Sequence, residues 1–215
     1  MHLCHRLRDA AQPHWDAAIH HRFVDELIEG RIDDAVFARY LVQDYCFCDS
    51  FVRLMGAAVC AADDADARLV HARQLAVVAG DEHRYFLDAF AALGVEEREW
   101  RSPELAGPTR EFIDLMDEAC ASQDYAVILV VLVVAEWLYL EWASRATAPL
   151  PPRPEHHGWI RIHADAEFVR WVDFLRGELE RVGAGREFEC LSTPFIRASR
   201  IEERFFDMAY DQARD

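Results

Sequence analysis

The chain has 215 residues, of which 52% are apolar, enough for one large domain with a hydrophobic core and too many for a disordered chain. Its 39 Asp and Glu outnumber 23 Lys and Arg, and the formal net charge of -16 argues against partners such as nucleic acid or anionic membranes. The six cysteines form no Cys-x-x-Cys turn, and the N-terminus lacks the apolar stretch of a secretory signal. We therefore expect a cytoplasmic protein without a disulfide framework.

Apolar residues recur at three- and four-residue spacing over most of the length, whereas period-two alternation is rare. This pattern predicts an all-α fold, with residues 1–215 forming a single-domain bundle of about seven helices. The expected helices lie near residues 11–29, 33–61, 66–93, 103–121, 124–145, 159–182 and 194–212.

Several helix boundaries carry local signals. Ser102-Pro103 and Thr193-Pro194 each place a hydroxyl cap before a proline, which predicts a helix start at both positions. The segment 147–158 contains four prolines and is expected to be a non-helical loop over the surface or over a pocket mouth. Three glycines predict helix ends: Gly30, Gly94 and Gly183.

In the expected helix 33–61, an acid shares one face with aromatic rings. Asp44, Phe47, Cys48 and Phe51 lie together because residues three and four apart are neighbours on a helix. Such a face suits a flat, nitrogen-rich heterocycle, since rings stack on it and a carboxylate accepts hydrogen bonds from its exocyclic amine. Cys48 lies one turn from Asp44, and the alternative for Cys48 is a small core residue.

The expected helix 124–145 is apolar on all sides over residues 126–135 and then reaches Glu136. Such a helix belongs in a protein core, and the run is shorter than the roughly 20 residues of a membrane span. A carboxylate there must be paired, hydrogen-bonded or protonated with a raised pKa, as enzymes often prepare an acid or base. We therefore predict an interior polar pocket, with a water-facing position as the alternative for Glu136 and for Glu141.

The last expected helix has an apolar face formed by Ile201, Phe205 and Met208, and Glu202 lies beside this face. Glu203 points elsewhere and is expected in solvent, as is Asp207. A surface acid next to an apolar stripe is the alternative for Glu202.

Three segments together resemble a known family. Residues 40–45, residues 136–141 and residues 199–210 are similar, in this order, to motifs of the TenA/thiaminase II family, and the resemblance covers almost the whole chain. It implies a heme-oxygenase-like helical bundle without heme, often a homodimer or homotetramer. It also implies hydrolysis of aminopyrimidines from degraded thiamin.

The resemblance also implies site residues. Carried over by motif, Asp44 is the acid that binds the pyrimidine, Phe47 stacks on its ring, and Glu202 is the catalytic glutamate. Four further positions are implied for the pocket: Tyr139 as a retained tyrosine, Glu82 as an acid of the third helix, and Phe112 and His163 in place of two tyrosines.

The chief departure from the family lies at the nucleophile. Ala135 stands where many members carry a cysteine, so cleavage of thiamin through a cysteine adduct is not expected. The chain is similar to the branch that lacks this cysteine and in which a glutamate is the conspicuous acid. Glu136, next to the vacant position, is the candidate.

Two functions follow from these residues. The first is a cofactor-free hydrolase acting on the aminomethyl or formylaminomethyl group of a thiamin-derived pyrimidine in thiamin salvage. In its catalytic site Asp44 holds the ring amine, Glu202 moves protons between water and the leaving amine, and Glu136 is a second acid or base or activates the water. The alternative is a heterocycle-binding or metal-dependent oxidase-like bundle, with ligands from residues 81–83 or from Asp16 and His20. No pair of Glu-x-x-His motifs is present, so we expect no metal.

Overall fold

The computed structural model describes residues 2–211, and all of its long secondary-structure elements are helices. Twelve α-helices and one short π-helix are present in this range, and no strand is. Their bounds are α1 Leu3–Ala10, α2 His14–Ile19, α3 Arg22–Ile28, α4 Asp34–Ala61, α5 Ala65–Val77, the π-helix Val78–Glu82, α6 His83–Leu93, α7 Glu97–Arg101, α8 Gly107–Ser122, α9 Tyr125–Ala143, α10 Pro154–Ile162, α11 Ala166–Val182 and α12 Phe188–Met208. The all-α prediction is confirmed, and the described residues contain more helices than the seven or so expected.

The N-terminal helices explain part of the difference. The expected helix 11–29 is two helices, α2 and α3, and the His21 side chain caps α3 by accepting a hydrogen bond from the Phe23 N–H. Helix α1 was not predicted. The Glu180 carboxylate of α11 caps it, accepting hydrogen bonds from the N–H groups of Leu3 and Cys4 at 2.8 Å each. A cap that comes from a distant residue leaves no local sequence signal.

Three proline-based boundaries were wrong. Helix α8 begins at Gly107 and not at Pro103, and α10 begins at Pro154, so the end of the expected loop 147–158 is helical. Proline is tolerated there because the first turn of a helix needs no N–H donor. Helix α12 begins at Phe188 and continues through Pro194, where the burial of flanking apolar residues outweighs one lost hydrogen bond. The predicted helix ends at the three glycines are confirmed.

Two further expected helices are interrupted beside the pocket described below. The range 66–93 contains the π-helix Val78–Glu82 between α5 and α6. The range 159–182 breaks between α10 and α11, where Asp165 caps α11 by accepting hydrogen bonds from the N–H groups of Glu167 and Phe168, both at 2.8 Å. Residues at both interruptions line the pocket, Glu82 at the first and His163 and Asp165 at the second.

Helix α9 forms the centre of the bundle. It packs against α4, α8, α11 and α12, and most of its residues are buried. By length and composition alone it would be long enough and apolar enough to cross a membrane, but its apolar surface is buried against these four helices and α2. Glu141 near its end is partly exposed, pairs with Arg8 at 2.9 Å and accepts a hydrogen bond from the Trp15 indole N–H at 2.8 Å. It therefore ties α1 and α2 to α9.

Candidate active site

A pocket of about 540 Å³ lies beside α9. Helices α4 and α5 with the π-helix form one part of its wall, and α10 and α11 form another. Helices α9 and α12 also line it. Of the residues proposed from sequence, eight line this pocket: Asp44, Phe47, Cys48, Glu82, Glu136, Tyr139, His163 and Glu202. Phe112 is not among the lining residues; its ring lies behind Phe47, with the two ring centroids 5.7 Å apart.

Seven acidic residues line the pocket; Asp81, Asp165 and Glu167 are exposed. The other four are buried or half-buried and come from four different elements. Asp44 of α4, Glu136 of α9 and Glu202 of α12 are buried, with 3%, 7% and 4% of their surface exposed. Glu82, the last residue of the π-helix, is half-buried. Over residues 2–211, no Arg or Lys acts on any of the four to lower its pKa. The inner pocket is thus acidic and lacks a compensating cation from the described chain.

Burial is the main reason that these acids have raised pKa values. Burial raises the pKa of Glu82 to about 7. Burial and then the charge of Glu82 raise the pKa of Glu136 to about 8, and burial with the charge of Glu136 does the same for Glu202. The pKa of Asp44 lies well above its usual range, through burial and then the charges of Glu82 and Glu202. Protonated and ionised carboxyls therefore coexist near neutral pH, which suits acid-base chemistry.

One end of the pocket combines an unpaired acceptor with an aromatic face. The Oδ1 atom of Asp44 is fully buried and has no hydrogen-bond partner among the described residues. Phe47, one turn along α4, lines the same pocket, and its ring centroid lies 5.9 Å from that of Phe205. A buried acceptor without a donor is costly, and a ligand with an N–H group would satisfy it.

The Cys48 thiol of α4 is not activated as a nucleophile. Cys48 lines the pocket, and its Sγ lies 3.7 Å from the backbone oxygen of Asp44. Burial, then the charges of Glu82 and Asp44, raise the pKa of Cys48 well above its usual value. Because the thiolate is the nucleophilic form, this environment disfavours covalent chemistry at Cys48. Ala135, at the other sequence position considered for a nucleophile, also lines the pocket and has no reactive group.

Neutral aromatic side chains complete the inner wall. The Tyr139 hydroxyl lies 2.7 Å from the Tyr40 hydroxyl, which accepts a hydrogen bond from the Trp159 indole N–H at 3.3 Å. The Nδ1 atom of His163 lies 2.9 Å from the backbone oxygen of Trp159 and therefore carries the proton. Burial lowers the pKa of His163 to about 4, so its ring is neutral at pH 7.

Sequence reasoning missed the outer half of the pocket. Trp171 and Phe174 of α11 line it, together with exposed residues of α5 and α11 at the mouth such as Arg73 and Arg170. The position of Glu82 also depends on a feature with no clear sequence signal, the π-helix, in which one extra residue per turn rotates the side chains that follow. π-Helical turns of this kind are frequent at functional sites.

The residues considered for metal binding do not assemble a site. Asp16 and His20 are both exposed, and so are Asp81 and His83. Across residues 2–211 there is no group of three or more His, Cys, Asp or Glu arranged to hold a metal ion.

Comparison with known proteins gives relatives that match nearly the whole chain. An aminopyrimidine aminohydrolase from Halalkalibacterium halodurans is 27% identical, over 96% of this chain and 94% of its own. An aminopyrimidine aminohydrolase from Helicobacter pylori is 25% identical, over 98% of this chain and 99% of its own.

Solved structures give the same fold. A TenA homologue from P. horikoshii OT3 superimposes with a TM-score of 0.88 at 19% identity, over 98% of this chain and 99% of its own. A protein described as a TenA family transcription regulator, from Silicibacter sp. TM1040, has a TM-score of 0.86 at 22% identity, over 96% of both chains. The model of the TENA/THI-4/PQQC family matches residues 8–212, and the family resemblance predicted from sequence is confirmed. The chain belongs to the TENA/THI-4/PQQC family.

Proposed function

We propose that this protein hydrolyses thiamin-derived aminopyrimidines at their aminomethyl or formylaminomethyl group, without a cofactor, in thiamin salvage. The full-length similarity to aminopyrimidine aminohydrolases supports this reaction class. The observation that carries the proposal is the group of four buried or half-buried carboxyls in one pocket, with a stacking ring beside Asp44. Such a pocket favours a flat ligand rich in N–H donors.

Binding is assigned to the α4 face. The unpaired Asp44 Oδ1 accepts a hydrogen bond from the exocyclic amine of the ring, and the Phe47 ring stacks on the pyrimidine. Phe112 supports the Phe47 ring from behind. Tyr139 and His163 contact the substrate from the opposite side, while Cys48 contributes a neutral wall and Glu82 a further acceptor.

Chemistry is assigned to the carboxyls of α9 and α12. In the aminomethyl substrate, protonated Glu202 transfers its proton to the leaving nitrogen as the carbon–nitrogen bond breaks, and water forms the new bond to carbon. The Glu202 carboxylate then takes a proton from that water, so ammonia and a hydroxymethyl pyrimidine are released and the acid is restored. Glu136 is a second acid or base, and it activates the water when ionised. The pKa values of both acids, about 8, suit this exchange near neutral pH.

The test compares the purified protein with two neighbouring variants on a panel of thiamin breakdown products. We expect hydrolysis of the aminomethyl or formylaminomethyl pyrimidine, and a loss of roughly 100-fold or more in Glu202→Gln, the scale of general acid-base catalysis. Glu203→Gln is the control, because Glu203 lies on the same helix, pairs with His14 and does not line the pocket. Unchanged activity in Glu202→Gln would contradict the mechanism.

Metal analysis of the same sample separates this proposal from the oxidase-like alternative. A hydrolase of this kind is expected to keep its activity after treatment with a chelator. Stoichiometric iron or zinc together with loss of activity on chelation would favour the alternative.

Two properties are proposed on the family resemblance and the sequence. Self-association as a homodimer or homotetramer is expected, and light scattering at micromolar concentration would test it. A cytoplasmic location is likewise expected, without contact with nucleic acid or membrane.

A further inference from the structure

The hydroxyl of Tyr40 lies in a fully buried position between two hydrogen-bonding groups. Tyr40 has no exposed surface, and Trp159 beside it is 1% exposed. The Tyr40 oxygen lies 3.3 Å from the Trp159 indole nitrogen and 2.7 Å from the Tyr139 oxygen, and these are its only hydrogen-bond contacts within residues 2–211. The protons of the Trp159 indole and of the Tyr40 and Tyr139 hydroxyls must therefore be arranged among these three groups.

The donors and acceptors determine the direction of the chain. The indole N–H of Trp159 can only donate, so the Tyr40 oxygen accepts. If Tyr139 also donated to Tyr40, the Tyr40 proton would be buried without an acceptor, which is costly. The satisfied arrangement runs from Trp159 to Tyr40 and from Tyr40 to Tyr139. In this arrangement the Tyr139 hydroxyl accepts a hydrogen bond from Tyr40, and its own proton makes no hydrogen bond within the three groups.

Tyr139 itself lines the pocket. Among the described residues its oxygen contacts only Tyr40, and the Oδ1 atom of nearby Asp44 receives no hydrogen bond. Burial raises the pKa of Tyr139 well above its usual value, so the group remains a neutral donor. A bound ligand is the natural acceptor of this proton.

We propose that Tyr40 and Trp159 are positioning residues, which direct the Tyr139 hydroxyl as a hydrogen-bond donor toward an acceptor atom of the bound pyrimidine. The inference rests on the proposed function for the identity of the ligand. Trp159 lines the pocket and Tyr40 does not, and the hydrogen-bonding groups of both are engaged in the chain that ends at Tyr139. Without the donation from Tyr40, the Tyr139 hydroxyl loses its fixed direction and part of its strength as a donor.

The surroundings hold Trp159 in place. The Tyr85 ring stacks on the Trp159 ring at a centroid distance of 5.1 Å, and the Tyr85 hydroxyl donates to the backbone oxygen of Glu155 at 2.6 Å. Gly158 makes this approach possible, since a Cβ atom there would lie 3.0 Å from the Tyr85 ring. The start of the hydrogen-bond chain is therefore rigid, as a positioning device requires.

A double-mutant cycle tests whether Tyr40 acts through Tyr139. We expect Tyr40→Phe to lower kcat/KM about fivefold, the usual scale of one neutral hydrogen bond, and Tyr139→Phe to lower it at least as much. The double variant should match Tyr139→Phe, because the Tyr40 hydroxyl has no other route to the substrate. An equal loss from Tyr40→Phe in both backgrounds would overturn the inference, and so would no loss from Tyr40→Phe alone.

The matched control is Tyr125→Phe. The Tyr125 hydroxyl also lies within a three-group chain, between His71 at 2.9 Å and Glu178 at 3.0 Å, but Tyr125 does not line the pocket. We expect Tyr125→Phe to lower thermal stability while leaving kcat/KM unchanged. Loss of activity that simply follows loss of stability in both variants would assign Tyr40 a structural role and overturn the proposal.

A binding measurement separates this inference from the proposed function. Calorimetry with 4-amino-5-hydroxymethyl-2-methylpyrimidine as the probe repeats the cycle without turnover. If no substrate is hydrolysed but the probe shows the same coupling between Tyr40 and Tyr139, the proposed reaction fails and the positioning role stands. If the probe binds without coupling between Tyr40 and Tyr139, or does not bind, the positioning role fails, whether or not a substrate is hydrolysed.

Discussion

Glu136 on α9 and Glu202 on α12 face the same pocket, and they interact electrostatically. Burial is the larger cause of the raised pKa of Glu202, and the negative charge of Glu136 is the second. The charge of one carboxyl makes ionisation of the other less favourable, as in sites where one group acts as acid and another as base.

The first prediction concerns the pH dependence of kcat. Glu136→Gln removes a negative neighbour, so the pKa of Glu202 should fall from about 8. If protonated Glu202 is the acid, the alkaline limb of the kcat profile should move to lower pH by roughly one unit. Glu141→Gln on the same helix is the control, because Glu141 lies outside the pocket and pairs with Arg8. An alkaline limb that stays in place in Glu136→Gln would contradict the coupling.

The second prediction concerns stability. The pKa of Glu136 is about 8 in the folded protein against 4.5 as its ordinary value, so the folded state keeps a proton that the unfolded state releases. Folding therefore becomes less favourable as pH rises from 4.5 to about 8. Glu136→Gln removes this dependence. The melting temperature of the variant minus that of the original protein should therefore be several degrees larger at pH 8 than at pH 5. A difference in melting temperature that is the same at both pH values would refute this.

The third prediction is that Cys48 is dispensable for chemistry. Its raised pKa keeps the thiol protonated, so Cys48→Ala should retain most of the hydrolytic activity. Cys60→Ala provides the comparison, because Cys60 is exposed on the same helix. Loss of turnover in Cys48→Ala alone, together with full activity in Glu202→Gln, would indicate a thiol mechanism.

The fourth prediction compares two helical glycines. Gly158→Ala places a Cβ atom 3.0 Å from the Tyr85 ring. The hydrogen bond from the Tyr85 hydroxyl and the stacked Trp159 ring hold the Tyr85 ring in position. We expect a destabilisation of about 1–3 kcal/mol from this overpacking. Gly177→Ala in α11 meets nothing within 4 Å, and it should stabilise the protein by about 0.5–1 kcal/mol through helix propensity. Denaturant unfolding of both variants checks the opposite signs, and equal signs would contradict the packing argument.

The sequence determined the helical class, the central position of α9 and the faces that carry Asp44 and Glu202. These are consequences of spacing within one helix, because positions three and four apart share a face wherever the helix lies. The apolar run before Glu136 predicted a raised pKa as one of two outcomes, and burial in the bundle together with the charge of Glu82 decided between them.

Only the tertiary structure decided how distant segments meet. The cap of α1 by Glu180, the continuation of α12 through Pro194 and the position of Glu82 in a π-helix all depend on contacts with other helices. The hydrogen-bond chain from Trp159 through Tyr40 to Tyr139 joins residues up to 119 positions apart. Local patterns carry no information about such pairs, because their partners are selected by packing, and burial then requires each polar group to find one.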